Sequence, residues 1–259
     1  MKQLKDLDIS KKKIAIFDLD GTLIDSAGLW STVDAHVVYE LTGTKVSSEM
    51  VFGFYLKSAN NHAYHEWLQK TLIPAHSIDD IKAKRTEIVS EFYRKVDYKP
   101  HADTVLKLLK KKGFVLSMAT NCPPEHFQVL AQENEFINEK APIKATFDSI
   151  WLPDDKELLH APELFETKKP DEEIFSKILK YHGFDASEGV AIEDNVTGIE
   201  AAFKAGLTVI SLEDKYSANR QAEIDKMSHC KIRGFDEMVK YLESGTTRSG
   251  LEIDNCYQK

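Results

Sequence analysis

Four short polar clusters in the chain carry side chains that suit phosphoryl chemistry. They are Asp18 with Asp20, Thr120 with Asn121, Lys169 before Pro170, and Glu193 with Asp194. The carboxylates are hard oxygen ligands that would repel one another unless a cation such as Mg²⁺ joined them. The lysine and the threonine hydroxyl would add a positive charge and a donor. A phosphoryl group needs this combination on its oxygens.

The first cluster also contains a nucleophile and a candidate acid. A carboxylate such as Asp18 can attack phosphorus and form an acyl phosphate. Asp20 could then protonate the leaving oxygen and later activate water, and such help is typically worth about 10²–10⁴-fold. Because successive side chains of a strand alternate between faces, a turn must re-aim Asp20. Gly21 follows it directly and supplies the conformational freedom.

Apolar runs and amphipathic segments alternate along most of the chain. The pattern predicts strands at 13–17, 114–119, 146–151, 190–192 and 208–212, and helices at 103–112, 124–132, 171–181, 197–204 and 235–242. This alternation is typical of an α/β fold with a parallel sheet covered on both faces. Ligands bind beyond the carboxyl ends of such strands. We therefore expect the four clusters to meet at one edge of the sheet.

The stretch between the first strand and Pro100 is helical in character. Helices are predicted at 34–41, 65–72 and 78–96, and Ile81, Ile88, Val89 and Phe92 recur at helical spacing in the last of these. No strand is predicted there. The predicted organisation is a Rossmann-like core formed by residues 1–24 and 99–259, with an α-helical cap domain at 25–98.

Composition narrows the classes of partner. The 259 residues carry a net charge of −8, which disfavours nucleic acid but allows a locally positive pocket for a small anion. Three widely spaced cysteines predict reduced thiols in a cytoplasmic compartment, and Cys122 is interpreted as a bystander. No apolar run predicts a secretory signal or a membrane span. We expect a monomer or a weak dimer.

The clusters resemble the four motifs of the haloacid dehalogenase-like superfamily, in the same order. Residues 17–23 read Phe-Asp-Leu-Asp-Gly-Thr-Leu, 119–121 read Ala-Thr-Asn, 168–171 read Lys-Lys-Pro-Asp, and 192–195 read Ile-Glu-Asp-Asn. The resemblance implies that Asp18 is the nucleophile and Asp20 the acid and base. It implies a phosphate site at Thr120, Asn121 and Lys169. It also implies Mg²⁺ held by Asp18, the Asp20 carbonyl and Asp194, with Glu193 a ligand or a neighbour of the ligands.

The helical insert resembles the cap of the phosphoglycolate phosphatase and β-phosphoglucomutase branch, in which the cap helps to select the substrate. Two features depart from that branch. The segment between Thr120 and Lys169 is long, and its extra residues at 138–144 and 153–166 suggest an added hairpin near the mouth of the site. His101 stands where many relatives have glycine.

The function predicted from these features is Mg²⁺-dependent hydrolysis of a small phosphate monoester: a sugar phosphate, phosphoglycolate or a nucleotide. A sugar phosphomutase would use the same aspartyl phosphate, but the stretch 53–65 offers Lys57 and two histidines and no arginine for a second phosphate. A third hypothesis is a non-enzymatic binding or regulatory module on the same fold. Decayed site residues would mark such a module, and the four motifs are intact.

Overall fold

A six-stranded parallel sheet forms the centre of the protein. The computed structural model describes residues 4–9, 11–58, 61–156, 160–164 and 166–244. The strands are β1 (Ile14–Phe17), β2 (Val115–Ala119), β3 (Ser149–Trp151), β4 (Gly189–Glu193), β5 (Thr208–Leu212) and β6 (Cys230–Ile232). They pair in the order β3-β2-β1-β4-β5-β6, all parallel. The predicted α/β fold with a Rossmann-like core is therefore confirmed.

Twelve α-helices are described around and beside the sheet. They are α1 (Ala27–Thr42), α2 (Ser48–Lys57), α3 (Asn61–Thr71), α4 (Ile78–Tyr93), α5 (Ala102–Lys111), α6 (Pro124–Glu133), α7 (Glu135–Lys140), α8 (Ile143–Thr146), α9 (Glu173–His182), α10 (Val196–Lys204), α11 (Gln221–Met227) and α12 (Phe235–Glu243). In the described part of the chain, no helix is long and apolar enough to cross a membrane.

The sheet is buried on both faces because its strands are apolar throughout. In β1, Ala15 and Phe17 face a core shared with α5, α6 and α12, while Ile14 and Ile16 face a second core shared with α9, α10 and α11. All four side chains are fully buried. This explains why the strand reads as a continuous apolar run rather than an alternating one.

Helices α1 to α4 occupy the chain between β1 and α5. They enclose a small core of their own, built from Val37, Val38, Val51, Tyr64, Leu68, Ile73 and Ile81. The chain enters and leaves this helical segment side by side, since Ile24 and Tyr98 form an antiparallel bridge and the Lys99 amide donates to the Leu23 carbonyl at 2.8 Å. A paired entry and exit is the connection that an inserted unit needs.

Two local predictions were wrong, and some elements were missed. Helices occupy Glu135–Lys140 and Ile143–Thr146, so the residues at 138–144 do not form the expected hairpin, and β3 begins only at Ser149. Part of the second stretch, 153–166, lies outside the described residues. Helix α2 and strand β6 were not predicted. Strand β6 has three residues, which is too short for a pattern to detect.

His101 adopts a left-handed backbone, with φ 67° and ψ 3°, directly before α5. This region is open to glycine and costly for a residue with a Cβ. A glycine, the residue that the resemblance implies at this position, would adopt this conformation without that cost.

Buried Asn134 ties the end of α4 to the core. Its side-chain Nδ2 donates to the carbonyls of Tyr93 (2.6 Å) and Val96 (2.7 Å), and its Oδ1 accepts from the Ile137 amide that begins α7. One side chain thus satisfies two carbonyls at a helix end and one amide at a helix start. Each of these groups would be costly to leave unpaired.

We predict that Asn134→Ala lowers the free energy of unfolding by about 2–4 kcal/mol, because two buried carbonyls and one amide lose their partner. Urea denaturation measures the change. The matched control is Asn138→Ala on α7, where the side chain is partly exposed and a change within about 0.5 kcal/mol is expected. Equal effects of the two substitutions would contradict the role of Asn134.

Candidate active site

The predicted site residues lie where the strand order reverses. The chain proceeds from β1 to β2 and β3 on one side, and then crosses to β4 on the other side of β1. Asp18 follows β1, and its amide donates to the Ile192 carbonyl of β4 at 3.1 Å. Glu193 ends β4 and Thr120 follows β2. In open parallel sheets this switch point is the usual position of a ligand crevice.

Lys169 connects two of the carboxylates. Its Nζ donates to Asp18 Oδ1 and to Glu193 Oε1, each at 2.6 Å, and all three side chains are buried. Burial opposes the charge of the ammonium, but the two carboxylates outweigh that effect and raise the pKa of Lys169. The lysine is thus a fixed cation beside Asp18.

Asp194 completes the acidic cluster. Its Oδ1 accepts a hydrogen bond from the Thr22 hydroxyl at 2.9 Å. A Cβ added to Gly21 would lie only 2.3 Å from its Oδ2. Gly21 has φ 81°, so this position requires glycine for its backbone as well as for space. The glycine predicted to re-aim Asp20 therefore also makes room for Asp194.

The acidic cluster fits a divalent cation. One oxygen each from Asp18, Glu193 and Asp194 lies within 4.8 Å of the others, and the three residues are buried. Asp18 Oδ2 and Glu193 Oε2 have no hydrogen-bond partner among the described residues. Burial and the nearby Asp18 carboxylate raise the pKa of Asp194 to about 7. Hard oxygens that are short of positive charge are the ligands that Mg²⁺ prefers.

The Asp20 side chain lies apart from this cluster. Its Oδ1 accepts from the Ser26 hydroxyl at 2.6 Å and from the Tyr93 hydroxyl at 2.5 Å, the latter at the end of α4. Burial raises the pKa of Asp20 despite these donors. Asp18 and Asp20 thus occupy different environments, an ammonium for one and two hydroxyls for the other. A carboxyl group with a raised pKa is suited to donate a proton.

Thr120 and Asn121 take different positions. The buried Thr120 hydroxyl accepts from the Cys122 amide at 3.0 Å, which leaves its own proton for the cavity. The Asn121 side chain is paired with the Lys169 backbone instead. Its Nδ2 donates to the Lys169 carbonyl at 3.2 Å, and its Oδ1 accepts from the Lys169 amide at 3.0 Å. Asn121 thus holds the lysine loop in place. Burial raises the pKa of the Cys122 thiol, which suits a bystander.

A cavity of about 520 Å³ opens above these residues. Asp18, Asp20, Thr120, Lys169 and Asp194 line its floor. Sequence reasoning missed Thr22, Ser26, Tyr93 and Arg85, which bind the carboxylates or line the wall. Thr22 and Ser26 lie close to the first motif in sequence. Tyr93 and Arg85 come from α4, far along the chain, and no spacing rule indicates them.

A comparison with known protein families shows the family of this chain. A profile described as haloacid dehalogenase-like hydrolase matches residues 15–212, which is most of the chain. The chain belongs to this family. Among characterised relatives, a phosphoglycolate phosphatase of Vibrio parahaemolyticus is 25% identical over 210 residues, covering 79% of this chain and 85% of that protein. An Arabidopsis thaliana (DL)-glycerol-3-phosphatase is 22% identical over 222 residues, which cover 84% of this chain and 66% of that protein.

Solved structures show the same fold. CbbY from Rhodobacter sphaeroides, crystallised with xylulose-(1,5)bisphosphate, aligns with a TM-score of 0.65 at 20% identity, over 89% of this chain and 99% of that chain. A hydrolase of the family from Entamoeba histolytica gives the same TM-score at 22% identity and equal coverage. Together with the profile and the named phosphatases, the comparisons support a phosphoric monoester hydrolase of the haloacid dehalogenase-like family. The predicted resemblance is confirmed.

We predict that Gly198→Ala disrupts the acidic cluster of this hydrolase. An added Cβ would lie 2.1–2.3 Å from the Glu193 carboxylate atoms, which are buried against α10. The expected loss in the free energy of unfolding is about 1–3 kcal/mol. The matched control is Gly53→Ala in α2, where an added Cβ meets no atom within 4 Å and a gain of roughly 0.5–1 kcal/mol is expected. Urea denaturation measures both changes. If Gly198→Ala did not lower the free energy of unfolding, the Glu193 carboxylate could not lie against Gly198 as described.

Proposed function

We propose that the protein is a Mg²⁺-dependent phosphatase that hydrolyses a small phosphate monoester through an aspartyl phosphate on Asp18. The observation that carries the proposal is the cluster of Asp18, Glu193 and Asp194, two of which share the Lys169 ammonium, beside an open cavity. The named phosphatases among the relatives agree with it.

The metal would be held by Asp18 and Asp194, with Glu193 beside them or as a third ligand. When bound, Mg²⁺ would neutralise charge on the phosphoryl oxygens and so favour attack by an anion. The Asp20 side chain is directed to Ser26 and Tyr93, so only its carbonyl could contribute, as the resemblance implies. The Lys169 ammonium and the Thr120 hydroxyl would bind the phosphoryl group from the protein side.

Two displacements at phosphorus then complete the reaction. In the first, a carboxylate oxygen of Asp18 forms a bond to phosphorus while the bond to the ester oxygen breaks, and Asp20 gives its proton to the departing oxygen. In the second, water attacks the same phosphorus while Asp20 takes the water proton, and the bond to Asp18 breaks to release phosphate. Asp20 returns to its protonated state, so the cycle balances.

We further propose that residues 25–98 act as a cap over the cavity. Trp30 and Arg85, on α1 and α4, line the same cavity as Asp18. The segment has a small core of its own and joins the rest of the chain through the paired connections at Ile24 and Tyr98. A unit with these features can shift as a body and exclude water when substrate is present.

The central prediction concerns the nucleophile. We predict that Asp18→Asn lowers kcat for phosphate release by at least about 10³-fold in Mg²⁺ buffer, because an amide oxygen cannot form the acyl phosphate. Released phosphate measures the rate. Mass spectrometry of the acid-quenched wild-type enzyme is expected to show one added phosphoryl group on the peptide that contains Asp18, and none in the variant.

The matched control is Asp25→Asn, which changes an exposed carboxylate a few residues away and leaves the rate unchanged. Full activity of Asp18→Asn would refute the aspartyl phosphate. Undiminished phosphate release after chelation with EDTA would refute the metal requirement while leaving the nucleophile in place.

A second prediction concerns the acid. Tyr93→Phe removes one of the two hydroxyls that hold Asp20 Oδ1 but keeps the buried ring. We expect kcat/KM for glycerol phosphate, whose leaving group needs a proton, to fall about 10-fold more than kcat/KM for para-nitrophenyl phosphate, whose leaving group needs little help. Steady-state kinetics on both esters measures the difference.

Tyr98→Phe is the matched control for Tyr93→Phe. The Tyr98 hydroxyl donates to the Ala141 carbonyl at 2.6 Å and is likewise buried, but it does not contact Asp20. Loss of this bond affects stability without changing the ratio between the two esters. An equal fall in kcat/KM for the two esters in Tyr93→Phe would mean that Tyr93 is only a packing residue.

A further inference from the structure

The two walls of the cavity differ in chemistry. The floor carries the carboxylates, Lys169 and Thr120. The wall contributed by α1, α2 and α3 is aromatic: it is lined by Trp30, Phe52, Tyr55, Tyr64 and His65. An ester bound with its phosphoryl group at Asp18 would therefore have its alcohol part against aromatic side chains.

Part of this aromatic wall remains accessible. Tyr55 is 38% exposed, and the neighbouring Phe52 is partly exposed with its ring stacked on Tyr55 at 6.0 Å between centroids. Tyr64, by contrast, is buried and closes the wall from behind with an edge-on contact to Tyr55 at 5.2 Å. Flat aromatic surface of this kind gains stability when another ring stacks on it.

The wall offers no unpaired cation for a second anionic group among the described residues of α1 to α4. Arg85 is the only Lys or Arg of these helices that lines the cavity, and its Nε already donates to the buried carboxylate of Asp34 at 2.9 Å. Its guanidinium also lies over the Trp30 ring, 5.4 Å from the centroid. A carboxylate or a second phosphate placed here would have to share Arg85 with Asp34, whose carboxylate already partly neutralises the guanidinium.

We propose that the preferred substrates are phosphate monoesters whose alcohol carries an uncharged planar ring, with nucleoside monophosphates as the representative class. This inference rests on the proposed function, because the phosphoryl group must sit at Asp18. The ring stacks on Phe52 and Tyr55, and the cavity of about 520 Å³ has the size of sites that enclose ring-bearing ligands. A small anionic ester such as phosphoglycolate would leave the aromatic wall unused.

The test compares four esters with the full-length enzyme and Mg²⁺. They are adenosine monophosphate, uridine monophosphate, glycerol phosphate and phosphoglycolate. We expect kcat/KM for at least one of the nucleotides to exceed that for phosphoglycolate by about 10-fold or more, since stacking on an aromatic side chain contributes a factor of this order. The measurement is released phosphate over a range of ester concentrations.

Paired variants locate the preference. Phe52→Ala is expected to lower the ratio of kcat/KM between nucleotide and glycerol phosphate about 5- to 10-fold, mainly through a higher KM for the nucleotide. Phe54→Ala is the control on the same helix, because Phe54 is 44% exposed and stacks on Trp67 at 4.0 Å without lining the cavity. It is expected to leave the ratio unchanged.

The outcomes separate this inference from the proposed function. Hydrolysis of all four esters with phosphoglycolate preferred would overturn the ring preference but leave the phosphatase intact. An equal fall in kcat/KM for the nucleotide and for glycerol phosphate in Phe52→Ala would also overturn it, because Phe52 would then support the fold rather than bind the ring. Absence of Mg²⁺-dependent release from every ester would refute the phosphatase, and the preference with it.

Discussion

Buried negative charge at the carboxyl edge of the sheet is the constraint on which the site depends. Asp18, Glu193 and Asp194 lie within 4.8 Å of one another, and Lys169 is the one ammonium that bridges two of them. At such distances two like charges repel by roughly 3–4 kcal/mol at an effective dielectric constant of about 20. The sheet imposes this proximity, since β1 and β4 are neighbours and both end there. A divalent cation held between these carboxylates would relieve the repulsion.

The fold places the two aspartates of the first motif in different environments. Asp18 stays with Lys169 in the charged cluster, whereas the Asp20 side chain is directed to the hydroxyls of Ser26 and Tyr93. Burial without a neighbouring ammonium raises the pKa of Asp20. Two carboxylates only two residues apart can therefore serve as an anionic nucleophile and a proton donor. The left-handed Gly21 that follows them is the local feature that allows this divergence.

The parts of the structure that local rules govern were predictable from sequence. Strand 208–212 was predicted with its observed bounds, and the four clusters meet at one edge because parallel strands end together. Contacts that depend on tertiary packing were not predictable. Tyr93 reaches Asp20 across 73 positions, and Arg85 reaches Asp34 across 51. Asn121 had a sequence signal for phosphate binding, yet its amide is paired with the Lys169 backbone, a choice that only the loop geometry determines.

Helix α4 contributes both to the cavity wall and to the surroundings of Asp20. Arg85 lies on the cavity wall, and Tyr93, eight positions later and about 12 Å further along the helix, bonds to Asp20. Asn134 fixes that end of the helix to the core through the Tyr93 and Val96 carbonyls. Asn134 thus holds the backbone of the residue whose hydroxyl binds Asp20, although Asn134 itself does not line the cavity. The position of the proposed acid therefore depends on α4 as well as on the residues of the first motif.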